Sequence, residues 1–156
     1  MNAPAKKTLL VGLGNPLSGD DGFGPLLLKH LGEAGNLPRD VSLVDAGTDL
    51  LNHIDSFSKY DRVVLLDAIL DPEGKLGPPG RVAVLEEQSF LSWSETAQGV
   101  HQISPLVGIK LFRLLNPEAR VEIRLVGLFV DRLSSSPMYM TNERIQEALE
   151  AVRSLF

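Results

Sequence analysis

Apolar and polar positions alternate between two spacings along this chain. Leu9-Leu10-Val11 is a short continuous apolar run and predicts a first strand over 8–11. A glycine-rich loop follows, and then an apolar-periodic stretch predicts a helix from 21 or 22 to about 31, with Asp20 or Asp21 as its N-cap. Residues 41–44 predict a second strand, and 49–57 a short helix that Thr48 is placed to cap. The run 62–66 is apolar after its first residue, as a strand of a parallel sheet buried on both faces requires, and it ends at Asp67. A Pro/Gly-rich loop over 71–80 leads to a strand over 81–87 and a poorly patterned segment reaching Gly99. A helix over 104–115 has Pro105 near its first turn; a last strand spans 122–130, and an amphipathic helix closes the chain over 141–155. Strands alternating with helices predict an α/β fold: one domain over 1–156, a three-layer α/β/α sandwich of phosphorylase/hydrolase-like type with a mostly parallel central sheet.

Composition narrows the function classes. A net charge of −5 and the lack of a basic stripe argue against a nucleic-acid partner. The chain has no cysteine, which excludes disulfides, thiolate metal sites and a cysteine nucleophile. No apolar run approaches the roughly 20 residues of a membrane span. Leu9 to Leu13 is too short for a signal-peptide core and turns straight into glycines. The expectation is a cytoplasmic protein without a membrane partner, a monomer or weak oligomer.

The loop Gly12-Leu13-Gly14-Asn15-Pro16-Leu17-Ser18-Gly19-Asp20-Asp21-Gly22-Phe23-Gly24 is the most informative stretch. It sets two adjacent acids at a strand-to-helix junction, and ligands of open α/β sheets bind beyond the carboxyl ends of the strands. Asp21 follows the first predicted strand, Asp45 ends the second and Asp67 the third, so these three acids gather at one sheet edge. One such Asp is ordinarily a cap or turn residue. Asp67 is the most telling, because an acid closing an apolar strand needs a partner or a cation. His101 precedes a predicted helix and completes a mixed oxygen/nitrogen set suited to nickel or zinc. His30 and His53 fall on predicted helices and read as packed or solvated. Trp93 reads as a partly buried anchor, with a substrate-facing aromatic as the alternative. No Gly-x-Ser-x-Gly elbow, dinucleotide fingerprint or phosphate-binding loop is present.

The motif Gly12-x-Gly-Asn-x-Leu-x-x-Asp-Asp-Gly-x-Gly24, followed by Asp45-Ala46-Gly47-Thr48, Leu66-Asp67-Ala68 and His101-Gln102, resembles the hydrogenase maturation proteases in order and spacing. The chain departs from their usual pattern at Val130-Asp131-Arg132 and at Met138-Tyr139-Met140-Thr141, where a proline-containing turn and Gly-Leu-Ser are common. The resemblance implies an endopeptidase that removes a C-terminal extension from a nickel-iron hydrogenase large-subunit precursor after nickel insertion. It implies Asp21, Asp67 and His101 as catalytic residues and metal ligands, and Asp45, Gly47 and Thr48 as substrate-binding residues. The implied metal is nickel carried by the substrate rather than resident, though zinc or another divalent ion suits the same ligands. Asp20 is expected to be a helix cap or surface acid, replaceable by Asn at little cost.

Two other functions remain open at this point. Peptidyl-tRNA hydrolases also begin with a strand and Gly-Leu-Gly-Asn-Pro, but they place a catalytic His soon after, where this chain has none before His30. A non-catalytic nickel-binding chaperone would use the same three ligands without cleaving anything.

Overall fold

The computed structural model describes residues 3–93 and 105–156. A five-stranded sheet runs through its centre in the order β2-β1-β3-β5-β4. The strands are β1 (Thr8–Leu13), β2 (Val41–Gly47), β3 (Arg62–Leu70), β4 (Val82–Glu86) and β5 (Glu122–Val130). β1 pairs in parallel with β2 and β3, and β3 with β5; β4 is an antiparallel edge strand on β5. All six residues of β1 are buried, as its central place with cover on both faces demands.

Alternate residues of each strand build two separate cores. Leu9, Val11, Val63, Leu65, Ile123 and Leu125 face one side, joined there by Phe57, Ile109 and Phe112. Leu10, Val64, Leu66, Val126 and Leu128 face the other, with Phe23, Leu27, Ala148 and Leu149. The first side is covered by α3 (Pro105–Leu115), the short α2 (Glu87–Leu91) and the segment between β2 and β3. The second is covered by α1 (Phe23–Ala34) and α4 (Asn142–Arg153). This is the expected three-layer sandwich. Trp93 is an anchor of the first layer, its ring 6.5 Å from that of Phe90 and 6.4 Å from that of Phe129. No helix among the described residues is long and apolar enough to cross a membrane.

The structure corrects several local expectations. The predicted first helix is two elements: a 3₁₀ turn over Gly19–Gly22 and then α1, which ends at Gly35 with φ +63°. Neither Asp20 nor Asp21 caps it; the N-cap positions of the turn and the helix are Ser18 and Gly22, without side-chain caps. Thr48 does not cap the next segment either. Asp49 does, accepting from Asn52 N–H, and the segment is two 3₁₀ turns, Leu50–Asn52 and Ile54–Lys59. Ile54 and Phe57 are both buried at a spacing of three, which a 3₁₀ turn stacks on one face. Thr141 caps α4 rather than belonging to it, accepting from Arg144 N–H.

Candidate active site

β1 ends at Leu13 and pairs with β3 only as far as Gly12 opposite Leu66. β3 runs on to Leu70, so the expectation that Asp67 ends this strand is overturned: it lies inside the strand, in register with Gly127 of β5. It sits one residue past its last β1 partner. From β1 the sheet extends to β2 on one side and to β3 on the other, and the crevice at such a switch point is where open α/β sheets bind ligands.

The glycine-rich loop is packed into this crevice. A Cβ at Gly24 would strike the carbonyl oxygens of Leu66 and Leu13, so α1 starts closer to the strand ends than any other residue would allow. Gly14 has φ +123°, and a Cβ there would strike the Asp21 carbonyl oxygen. Asp21, only 5% exposed, folds back over this glycine and accepts the Asn15 N–H at 2.8 Å. Asn15 in turn accepts the Leu17 N–H at 2.9 Å, which closes the loop tip.

The carboxyl of Asp67 is held well above its ordinary pKa of 3.8. Loss of hydration is the main cause and the neighbouring Asp21 charge adds to it; the Ala68 N–H acts in the opposite sense. Among the described residues neither carboxylate has an ion-pair partner. Two acids so arranged favour a shared proton or a cation. A strongly perturbed acid in a cleft, beside a specific charge, marks a functional-site candidate.

Among the described residues, Asp67 lines an open cleft together with Leu13 at the end of β1, Gly14, Gly47 at the end of β2, Thr48, Leu50 and Pro105. Gly47 and Thr48, two of the three positions expected to bind substrate, therefore line the same cleft as Asp67. Asp45 does not line the cleft. Against expectation it does not end β2 but lies inside it opposite Gly12; it is exposed and accepts the Gly47 N–H at 3.0 Å, fixing the strand end at which Gly47 takes φ +55°. The Gly47 carbonyl then accepts the Gly14 N–H at 2.8 Å, so Asp45 shapes the wall from behind. His101 and Gln102 lie outside the described residues, as does Ser104, the expected start of α3. The described residues hold the Asp21–Asp67 pair but no group of three or more acids and histidines able to bind a metal.

Asp20 is the largest departure from expectation. It is neither a cap nor a surface acid but 1% exposed, and it accepts hydrogen bonds from the backbone N–H groups of Met138, Tyr139 and Met140 at 2.9–3.2 Å. Its partners are 118 to 120 residues away, and no local pattern announces them.

The family model of hydrogenase maturation proteases (HycI) matches residues 25–155. This chain belongs to that family. The hydrogenase expression/formation protein HupD of Rhizobium leguminosarum bv. viciae is 35% identical over 66 residues, which is 42% of this chain and 33% of HupD; the match thus spans about a third of that relative. The [NiFe] hydrogenase maturation protease HybD from Thermococcus kodakarensis superposes with a TM-score of 0.71 at 27% identity, covering 96% of this chain and 98% of that one. The hydrogenase maturating endopeptidase HybD from E. coli gives a TM-score of 0.73 at 22% identity, covering 96% and 91%, and shares the fold.

Proposed function

We propose that this chain is an endopeptidase that removes the C-terminal extension of a nickel-iron hydrogenase large-subunit precursor after nickel insertion. The observation that carries the reading is the Asp21–Asp67 pair, uncompensated by any cation among the described residues, at the switch-point cleft of a member of this family. Nickel enters as part of the substrate. Asp21, Asp67 and His101 complete its coordination and align the scissile bond, while Gly47 and Thr48 guide the extended chain and Asp45 holds their turn. Carboxylates and one imidazole form a sparse, hard-leaning set, so free nickel binds weakly and the precursor's own ligands supply the remaining affinity. Zinc or another divalent ion fits the same donors.

Two chemical routes suit this site. A cation held by Asp21, Asp67 and His101 would supply Lewis-acid polarisation of the carbonyl or of a bound water. Alternatively Asp67, made a stronger base by its raised pKa, takes the proton from an attacking water. Cleavage after nickel loading makes the protein a checkpoint on insertion. A cytoplasmic location belongs to the same proposal.

The test is to present metal-free protein with nickel-loaded and nickel-free precursor in parallel. Shortening of the loaded form alone is expected. Efficient cleavage of the nickel-free form would show that nickel is not the recognition element. Tight nickel binding by the protein alone, with no cleavage of either form, would favour a chaperone.

A further inference from the structure

The 3₁₀ turn Gly19–Gly22 carries two consecutive acids that point different ways, because successive residues of such a turn are about 120° apart. Asp21 turns toward Gly14 and the cleft, and Asp20 turns away from it. The Asp20 carboxylate receives three consecutive N–H groups: Oδ1 accepts from Met138, Tyr139 and Met140 at 3.0, 3.0 and 2.9 Å, and Oδ2 from Met138 and Tyr139 at 3.0 and 3.2 Å. Beside it, Gly19 has φ +56°, and a Cβ there would strike backbone atoms of Ser134 and Ser136. The receiving loop has braces of its own. Tyr139 donates its hydroxyl to Asp131 at 2.8 Å, and Ser134 donates to the Ser136 carbonyl at 2.6 Å. One face of the turn is therefore fixed to a stiff loop in front of α4, and the other face presents Asp21.

We propose that Asp20 is a positioning residue: by locking the turn to the Met138–Met140 backbone it holds Asp21 in the orientation that packs it over Gly14 at the cleft wall. The inference rests on the proposed protease reading for its kinetic consequence, but not for its geometric one. A buried charge without a counter-cation is tolerated only when hydrogen bonds replace its hydration, and here backbone donors do so. Such donors cannot swing away as side chains can. The position of Asp21 is then set by the main chain at the far end of the molecule's sequence.

The molecule contains its own control. Asp71, 4% exposed, is a second buried carboxylate that accepts three consecutive N–H groups, those of Lys75, Leu76 and Gly77 at 3.1, 2.8 and 3.2 Å. It is not beside either acid of the pair in the chain and does not line the cleft. Asp20→Asn and Asp71→Asn each trade a carboxylate for an amide whose NH₂ opposes the incoming N–H donors. A purely structural role makes the two variants alike in every respect.

The experiment compares both variants with the full-length wild type by thermal melting, precursor cleavage and amide hydrogen exchange. Both are expected to lower Tm. Only Asp20→Asn is expected to lower kcat, by about tenfold or more with KM near wild type. It alone should also speed exchange of the Asn15 amide, which donates to Asp21, by about tenfold. Loss of stability with kcat and Asn15 exchange matching Asp71→Asn would overturn the inference. If the wild type cleaves no precursor, the protease reading fails, and Asn15 exchange still decides whether Asp20 positions Asp21. Should Asp20→Asn fail to fold, Tyr139→Phe loosens the same loop without touching a buried charge. Faster Asn15 exchange is then expected, and unchanged exchange would count against the inference.

Discussion

Glu122 and Asp67 sit on paired strands at opposite ends of one sheet, and their surroundings differ in sign. Glu122 opens β5 beside Arg62, the first residue of β3. It accepts from Lys6 Nζ at 2.8 Å, Arg62 Nε at 3.1 Å and Arg124 Nε at 2.6 Å. Partial burial pushes its pKa up, but the three cationic donors outweigh this and bring it from 4.5 to about 2. Arg62 also donates to the Leu155 carbonyl, which ties the C-terminal turn to this end of the sheet. Asp67, near the other end, is half-buried with no cation partner among the described residues, and burial and the Asp21 charge both push its pKa up. One end uses acids and bases to close the fold. The other keeps two acids in a configuration that costs stability, and such a cost at a cleft is the mark of a site whose compensation arrives with its ligand.

The largest expected effect comes from removing the uncompensated acid. Asp67→Asn should lower precursor cleavage by about a thousandfold, whichever of the two chemical routes operates. It should leave Tm at neutral pH unchanged or raised, because it deletes a desolvated charge that Asp21 repels. Single-turnover cleavage and melting curves check both halves. Intact cleavage would remove Asp67 from the site; a large fall in Tm would show that its carboxylate serves the fold, and the contrast with Glu122 would collapse.

Much of this architecture was legible in the chain, for identifiable reasons. β1, β3 and β5 are apolar runs, and burial on both faces leaves them no other pattern. Glu122–Val130 has the expected bounds. β3 was expected to stop at Asp67 because a charged residue breaks the run, yet Ala68-Ile69-Leu70 continue it against β5. The direction of β4 depends on which neighbour it pairs with, which periodicity does not encode. The two 3₁₀ turns after β2 share their apolar spacing with a short α-helix. At the cleft, the positions of Asp67, Gly47 and Thr48 were legible because each follows an apolar run at one sheet edge. Asp20 and Asp71 were not, because their partners are backbone N–H groups that every residue but proline carries.

The next effect is smaller and lies at the other end. Glu122→Gln should cost about 1–2 kcal/mol: charged hydrogen bonds are strong, but this cluster is partly solvent-screened. Cleavage below the melting range should be unaffected. The pH dependence gives the sharper contrast. Glu122 has a folded pKa below its unfolded one, so its contribution is full above 4.5 and drains as pH falls toward about 2. Asp67 has a folded pKa above its unfolded one, so the folded state binds its proton more tightly, and stability falls as pH rises from 3.8 toward the folded value. Glu122→Gln should therefore flatten the acid limb of the stability profile, and Asp67→Asn the limb above it. Urea melts across acid and neutral pH measure both; variants that flatten the same limb would refute the opposition between the two ends.

The smallest effect isolates one member of the cationic trio. The Lys6 side chain is 53% exposed, whereas that of Arg62 is 12% exposed. An exposed ammonium on a flexible stem gains little from a carboxylate in high dielectric, loses rotamer freedom in holding it, and is screened by salt. Arg62 and Arg124 remain in place in Lys6→Ala and still donate to both Glu122 oxygens. The substitution should therefore cost no more than about 0.5 kcal/mol at low salt and less at high salt. The acid limb should stay near its wild-type position, because the guanidinium donors keep Glu122 ionised. Paired denaturant melts at low and high ionic strength make the measurement. A cost equal to that of Glu122→Gln would mean that the lysine, and not the two arginines, holds this end of the sheet closed.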